Sequence, residues 1–314
     1  MWLYTLKRVG LSVAIVVCTL FVLFALLRFI PGDPITIALG PYATPEAVER
    51  YREKMHLDAP LIVQFAIYAK SAVTGDLGTA VFSERPVIDI VLEVLPNTLI
   101  LAIASLGWAV LLGLPLGCIA AIRPNSAFDR ITGILSVATI AIPSFLVSIW
   151  SLLLFAIVLR ILPVLGAGEP GDPLDQLVHL ILPAFSVGLG WVGYLARLVR
   201  ASMLEVLGEN YIRAAFAFGL PQRVIIYRYA LRVAVLPTIT MIGIGFGGLL
   251  SGTVFSEIIF ARPGAGLVIY DAVVTRNFPV VQGAVLIITA LYIVITRLAD
   301  LAVAWLDPRV RESL

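Results

Sequence analysis

Lysine is nearly missing from this chain: Lys7, Lys54 and Lys70 are the only three in 314 residues, and none of them follows a glycine. A phosphate-cradling loop needs Gly-x-x-x-x-Gly-Lys-Ser/Thr, with the lysine reaching the β and γ phosphates. No such site exists here, so any ATP spent alongside this chain is hydrolysed by another one. Cysteine is as scarce. Cys18 and Cys118 each lie inside a long apolar run, which leaves neither a disulfide framework nor a thiolate metal centre and marks both as packing or lipid-facing residues. His56 and His179 lack metal-ligand spacing and have no evident Cys or acidic partners. His-Glu-x-x-His and Gly-x-Ser-x-Gly are both absent, so a zinc protease and a serine hydrolase lose their support. Charge is thin too: only 13% of residues are charged, against about 25% in an ordinary soluble domain. The net charge of +2 is scattered and builds no basic face for nucleic acid.

What is present is apolar surface, at 60% of the residues, more than a water-solvated domain carries. Six uncharged stretches, 9–27, 94–122, 131–159, 176–196, 233–256 and 277–296, reach the roughly 20 helical residues that a bilayer's hydrocarbon core requires. In lipid, each must satisfy its own backbone hydrogen bonds, which selects helices over isolated strands. The two longest tilt or begin outside the hydrocarbon and count as one span each. The chain therefore reads as all-α, a polytopic membrane bundle of six transmembrane helices forming one permease-like domain over 1–314. Lys7 and Arg8 ahead of the first run imitate a secretory signal, but the run is too long and Arg28-Phe29-Ile30-Pro31 is no small-residue cleavage site. It is expected to remain as an anchor.

Orientation follows from the basic residues beside the spans. Lys7, Arg8, Arg123, Arg130, Arg197, Arg200, Arg213, Arg223, Arg228, Arg232, Arg297, Arg309 and Arg311 fall on one side, against Arg28, Arg160, Arg262 and Arg276 on the other. Both termini are then expected in the cytoplasm, and segment 31–93 outside. That external segment opens with the turn Pro31-Gly-Asp-Pro34. A polar helix follows from Thr44, then a more apolar helix over 60–73, ended by Gly75-Asp-Leu-Gly78. The second helix is expected along the outer interface or against the bundle, and both a space-filling lid and a cargo contact remain open for it. The cytoplasmic piece, 197–232, reads as a short helix within 209–220 ending at Gly219, the break Leu220-Pro221, and a second helix from Gln222 to about Val233.

No Asp, Glu, Lys or Arg interrupts the six stretches. Ion-coupled carriers normally hold such groups in mid-membrane, so a carrier working alone is disfavoured, though uncharged carbonyl sites for sodium stay open. The fifth stretch is rich in glycine, and the pairs Gly243 with Gly247 and Gly248 with Gly252 have the four-residue spacing that lets helices approach closely. Together with Glu257 just beyond the run, these are candidates for helix packing or for lining a pore. Pro115, Pro143 and Pro183 stand inside other spans, where kinks that serve gating and the commoner simple accommodation are both open.

The segment Glu209-Asn-Tyr-Ile-Arg-Ala-Ala-Phe-Ala-Phe-Gly219-Leu-Pro, followed by Leu236-Pro237, resembles the coupling loop of ABC importer permeases. More narrowly, the ordered series Pro31-Gly-Asp-Pro34, Ala43-Thr-Pro-Glu46, Leu57-Asp-Ala-Pro-Leu61, Gly75-Asp-Leu-Gly78, Leu95-Pro-Asn-Thr98, Pro115-Leu-Gly117, Ala230-Leu-Arg232, Pro263-Gly264 and Asp307-Pro-Arg309 is similar to that of the first permease subunit of dipeptide and oligopeptide importers. The resemblance implies a multi-pass permease of the prokaryotic inner membrane that moves short peptides and is not itself an enzyme. It implies a homologous second permease, two ABC ATPase subunits and an extracytoplasmic peptide-binding protein as partners besides the lipid bilayer. It also implies no cofactor in this chain, ATP and Mg2+ being bound by the ATPase subunits. Nickel, glutathione or another small solute is the alternative cargo. The coupling role falls, by the same resemblance, on loop 201–232 and within it on Tyr211, Ala214, Ala215, Phe216, Phe218, Gly219 and Leu220. Where relatives often carry Thr-Ala-Arg-Ala-Lys, this chain has Ala214-Ala-Phe-Ala-Phe218, and where the superfamily pattern begins with an acid it has Arg213 or Ala214. These departures replace charge by aromatic rings and point to an apolar docking face.

Overall fold

The computed structural model describes residues 2–29, 44–54 and 59–306. Pro31-Gly-Asp-Pro34, Ala43 of Ala43-Thr-Pro-Glu46, Leu57, Asp58 and Asp307-Pro-Arg309 lie outside the described residues. In chain order the helices are α1 (Trp2–Phe29), α2 (Pro45–Lys54), α3 (Leu61–Val73), α4 (Val87–Ile122), α5 (Ala127–Ala141), α6 (Ser144–Ser151), α7 (Pro173–Leu207), α8 (Asn210–Ala217), α9, α10 (Leu236–Ile259), α11 (Ala265–Val274) and α12 (Phe278–Leu306). Here α9 denotes the continuous run of Gln222–Val224, a wider π-helical stretch Ile225–Ala230, and Leu231–Ala234. The single extended pairing among the described residues is the bridge between Thr79 and Pro86. Among the described residues five helical segments are long and apolar enough to cross a membrane, or six when the bent pair over Ala127–Ala141 and Ser144–Val158 is counted as one span.

In that pair the stretch 131–159 is broken at Pro143, one of the three prolines read as able to kink a span. Helices α5 and α6 meet at 98°. The residue before a proline is pushed out of the helical region, and proline has no N–H to give; Ile142, before Pro143, is accordingly extended at φ −85°, ψ 120°. Beyond α6 the chain loosens into a π-helical turn over Leu152–Val158. The other two internal prolines act differently. Helix α4 runs through Pro115 and α7 through Pro183 as single elements.

The chain groups into two compact units. In the unit made of Met1–Pro96 and Pro263–Val294, α1 packs on α3 through aromatic edges, Phe21 and Phe24 lying 5.2 and 5.8 Å from the ring of Phe65. Gly75 and Gly78 take φ of +86° and +80°, a region open to glycine without cost, and turn the chain into a tight hairpin. Its rungs are Ala80 N–H to the Arg85 carbonyl at 2.9 Å and Val87 N–H to the Gly78 carbonyl at 3.0 Å. Leu77, Val87, Val91, Ala272, Val281 and Ala284 form the core beneath it.

The second unit comprises Asn97–Arg262 and Ile295–Leu314, and α7 is its axis. Asp172 caps that helix by accepting from the N–H groups of Leu174 and Asp175, with Pro173 in the first turn where its missing N–H costs nothing. Small residues let α7 lie close to its neighbours. A Cβ on Gly117 of α4 would stand 2.5 Å from the Ala196 carbonyl oxygen, and one on Gly193 would stand 2.7 Å from the Ser136 carbonyl oxygen of α5. The seams are filled by Ala109, Val192 and Leu195 at one level and by Cys118, Ala121, Val199 and Met203 at another.

Candidate functional site

Helix α8 begins where α7 stops. Gly208 ends α7, Glu209 is extended at φ −71°, ψ 149°, and its carbonyl accepts from Ile212 and Arg213 at 3.2 Å. The helix ends in a complete Schellman motif. Leu220 N–H reaches the Ala215 carbonyl at 3.2 Å, and Gly219 N–H reaches the Phe216 carbonyl at 3.0 Å. Gly219 is the left-handed residue this closure demands, at φ +73°. The apolar contact that accompanies the motif is present as well, because Leu220 packs on the cluster that contains Ala215.

This short helix has two unlike faces. Ile212 and Ala215 are buried against Val199, Met203, Val206 and Ile225. Tyr211, Ala214 and Phe218, at helical spacing, face outward with Arg213, Phe216 and Ala217. Phe218 is 84% exposed and Phe216 47%. Neither ring folds back onto its own unit. Partial burial, with the nearby Glu209 charge second, raises the Tyr211 phenol above its usual range. Of the seven residues expected to couple, Tyr211, Ala214, Phe216, Phe218 and Gly219 are therefore brought together at the surface. Ala215 points inward and Leu220 is half-buried, so these two hold the helix in place.

The expected second helix of the loop, from Gln222 to about Val233, is present and ends at Ala234. Helix α9 widens to π geometry from Ile225 and is followed, after Val235 alone, by α10. Ile225, Ile226 and Ala230 are buried, while Arg223, Tyr227, Arg228, Tyr229 and Arg232 face out.

An ion pair that sequence reasoning missed secures the base of α7. Asp129 is buried, and its carboxylate accepts both the Nε and, at 2.8 Å, an Nη of Arg200. Its second oxygen also accepts from Asn125 N–H at 2.9 Å, and Asp129 N–H donates to the Ser126 hydroxyl at 3.2 Å. The local signal was Ser126-x-x-Asp129, a capping pattern at a helix start. Arg200 lies 71 positions away, a distance no local pattern bridges.

The glycine-rich helix also differs from expectation. The close approach falls on Gly245, whose added Cβ would strike the Trp191 indole, whereas Gly248 and Gly252 have side-chain atoms no nearer than 3.8 and 3.7 Å. Gly243 is buried and Gly247 half-buried. Glu257 is drawn inside α10, which extends past the anticipated end at Ser256, so an acid does lie within this helix. It is fully buried and accepts from the Thr98 hydroxyl at 2.6 Å. Arg262 is also buried; burial lowers its pKa and the charge of Glu257 opposes the change. His179 does have an acidic neighbour, with Nδ1 3.2 Å from an Asp175 carboxylate oxygen. Among the described residues no group of three His, Cys, Asp or Glu side chains is placed to hold a metal.

Comparison with known proteins adds the following. Residues 113–312 match the family model described as the binding-protein-dependent transport system inner membrane component, and residues 1–102 match the model of the N-terminal part of such membrane components. The chain is 32% identical to the dipeptide transport system permease protein of Alkalihalophilus pseudofirmus, over 98% of this chain and 99% of that one. It is 35% identical to the glutathione transport system permease protein of Escherichia coli strain K12, over 98% of each. In fold it is similar to a chain of the inward-facing MetNI methionine ABC transporter, with a TM-score of 0.58, 18% identity, and coverage of 70% of this chain and 97% of that one.

Proposed function

Because this chain belongs to the family of binding-protein-dependent transport system inner membrane components, we propose that it is the permease subunit of an ATP-driven importer for short peptides, and that α8 is where it meets the ATPase. The chain is a multi-pass membrane protein, a transport subunit with no nucleotide loop of its own. Hydrolysis then occurs on two separate ATPase subunits, which bind ATP and Mg2+. A homologous second permease completes the passage, and an external binding protein hands over the cargo. Both termini and loop 201–232 lie in the cytoplasm, and 31–93 lies outside. The dipeptide and glutathione relatives support the cargo class, since glutathione is itself a tripeptide.

The observation that carries the coupling role is the outward pair Phe216 and Phe218 on a helix whose other face is locked to α7 and α9. Large exposed rings next to one another mark a partner surface. Burying one such ring at an interface contributes about 1.5 to 3 kcal/mol, or one to two decades of affinity at about 1.4 kcal/mol each. The Schellman closure at Gly219 makes α8 a rigid knob, so a push on Phe218 is delivered to the Val199–Met203 region of α7 through Ile212 and Ala215. In the purified complex, Phe218→Asp is expected to insert normally but to release the ATPase subunits or to disconnect ATP hydrolysis from peptide uptake in vesicles. Full retention, stimulation and uptake in that variant would reduce the loop to a connector.

A further inference from the structure

The two exposed aromatic groups beside the coupling loop are chemically different. Helix α8 exposes Phe216 and Phe218 with Tyr211 and a single arginine, Arg213, whereas α9 exposes Tyr227 and Tyr229 with three, Arg223, Arg228 and Arg232. No Asp or Glu occurs anywhere in 210–256. Among the described residues none of these three arginines has a carboxylate within ion-pair distance. Their backs are fixed: Ile225, Ile226 and Ala230 are buried in the cluster with Val199 and Met203. The outward side of α9 therefore holds three exposed guanidinium groups with no carboxylate at ion-pair distance among the described residues.

We propose that this face of α9 binds anionic phospholipid headgroups. The position decides the kind of partner. By length and composition Gln222–Gly243, which joins α9 to the start of α10, qualifies as a span, and its uncharged run begins only at Val233, which puts α9 at the membrane boundary. The headgroup layer is about 5 to 8 Å deep on each side of the hydrocarbon, which at about 1.5 Å per residue covers the four or five residues before the apolar run. Arg228, Tyr229 and Arg232 fall in or just outside that layer, and Val233 with α10 begins the hydrocarbon-facing surface. Tyrosine places an apolar ring and a wet hydroxyl across such a boundary. Arginine forks onto phosphate with two parallel hydrogen bonds, and its stem reaches back along apolar surface. Arg223 lies little more than one turn further out and extends the same charge toward the surface. A lipid phosphate at Arg228 and Arg232 braces α9 from the side opposite α7, next to the helix proposed to receive the ATPase.

The test uses the complete transporter in nanodiscs of phosphatidylcholine doped with spin-labelled phosphatidylglycerol or spin-labelled phosphatidylcholine. The immobilised fraction of label reports association. The unmodified protein is expected to select phosphatidylglycerol, and to lose that preference as salt rises. Charge near a membrane surface is worth roughly a decade in association for every one to two arginines, so the double substitution Arg228→Gln with Arg232→Gln is expected to lower the selectivity about tenfold. Lysine at both positions should retain most of it. ATPase subunit retention is measured on the same samples, to separate a lipid contact of α9 from a contact with the ATPase. Unaltered selectivity in the glutamine variant would overturn the proposal. So would loss of the ATPase subunits with lipid selectivity intact, which would make α9 part of the protein interface instead. Because the readout is lipid association, it does not depend on peptide being the cargo.

Discussion

A single methyl group at position 117 has no room. The added Cβ would lie 2.5 Å from the Ala196 carbonyl oxygen and 2.8 Å from the Val199 Cβ, both on a helix that packs against the rest of its unit. Overpacking of this sort costs about 1 to 3 kcal/mol. Gly117→Ala is accordingly expected to lower the thermal unfolding midpoint in detergent by several degrees, whereas Gly248→Ala, with no atom nearer than 3.8 Å, should leave it within error. Equal shifts in the two variants would mean that the α4–α7 seam relaxes freely. The Asp129–Arg200 pair makes a second demand at this scale. Leaving a buried or half-buried charge without its partner costs about 3 to 5 kcal/mol when burial is complete, and less here because Arg200 is one-third exposed. Asp129→Asn and Arg200→Gln should each destabilise the protein. Exchanging the two charges should restore part of the loss, and failure to do so would show that the Asn125 and Ser126 contacts matter more than the ion pair.

At the scale of elements, the turn at Gly219 is the most exacting. Its left-handed conformation costs an ordinary residue about 1 to 2 kcal/mol, and β-branched side chains suffer most. Asparagine tolerates the region. Gly219→Val is expected to impair uptake strongly and Gly219→Asn only mildly, with both proteins reaching the membrane; equal activity would remove the need for a rigid end to α8. This helix was legible from sequence because everything that shapes it is local: an extended Glu209, a short apolar pair at Ile212 and Ala215, and Gly-Leu-Pro to stop it. The spans were legible for a similar reason, since length and lack of charge suffice. The 98° bend at Pro143 was not legible in size. Proline dictates a break, but the angle depends on what α6 then packs against. Likewise Gly245, rather than the spaced pairs around it, carries the close approach because Trp191 of α7 happens to face it, a contact across more than fifty residues of chain. The pairing of Asp129 with Arg200 was hidden in the same way.

At the scale of the whole molecule, the account requires one sidedness. Glu49 and Gln222 are both exposed, so cysteines placed there in a background without Cys18 and Cys118 should react with an impermeant thiol reagent from opposite faces of sealed vesicles. Reaction of both from one face would overturn the proposed topology. The central claim is that the outward face of α8 is the seat of the ATPase. The measurement that addresses it most directly is cross-linking in the assembled complex from Phe218→Cys, with Ile62→Cys on the exposed face of α3 as the control. The account predicts a cross-link from position 218 to an ATPase subunit, altered in yield by ATP, and none from position 62. A complex that hydrolyses ATP and imports peptide while position 218 stays free of the ATPase under every nucleotide condition would contradict it.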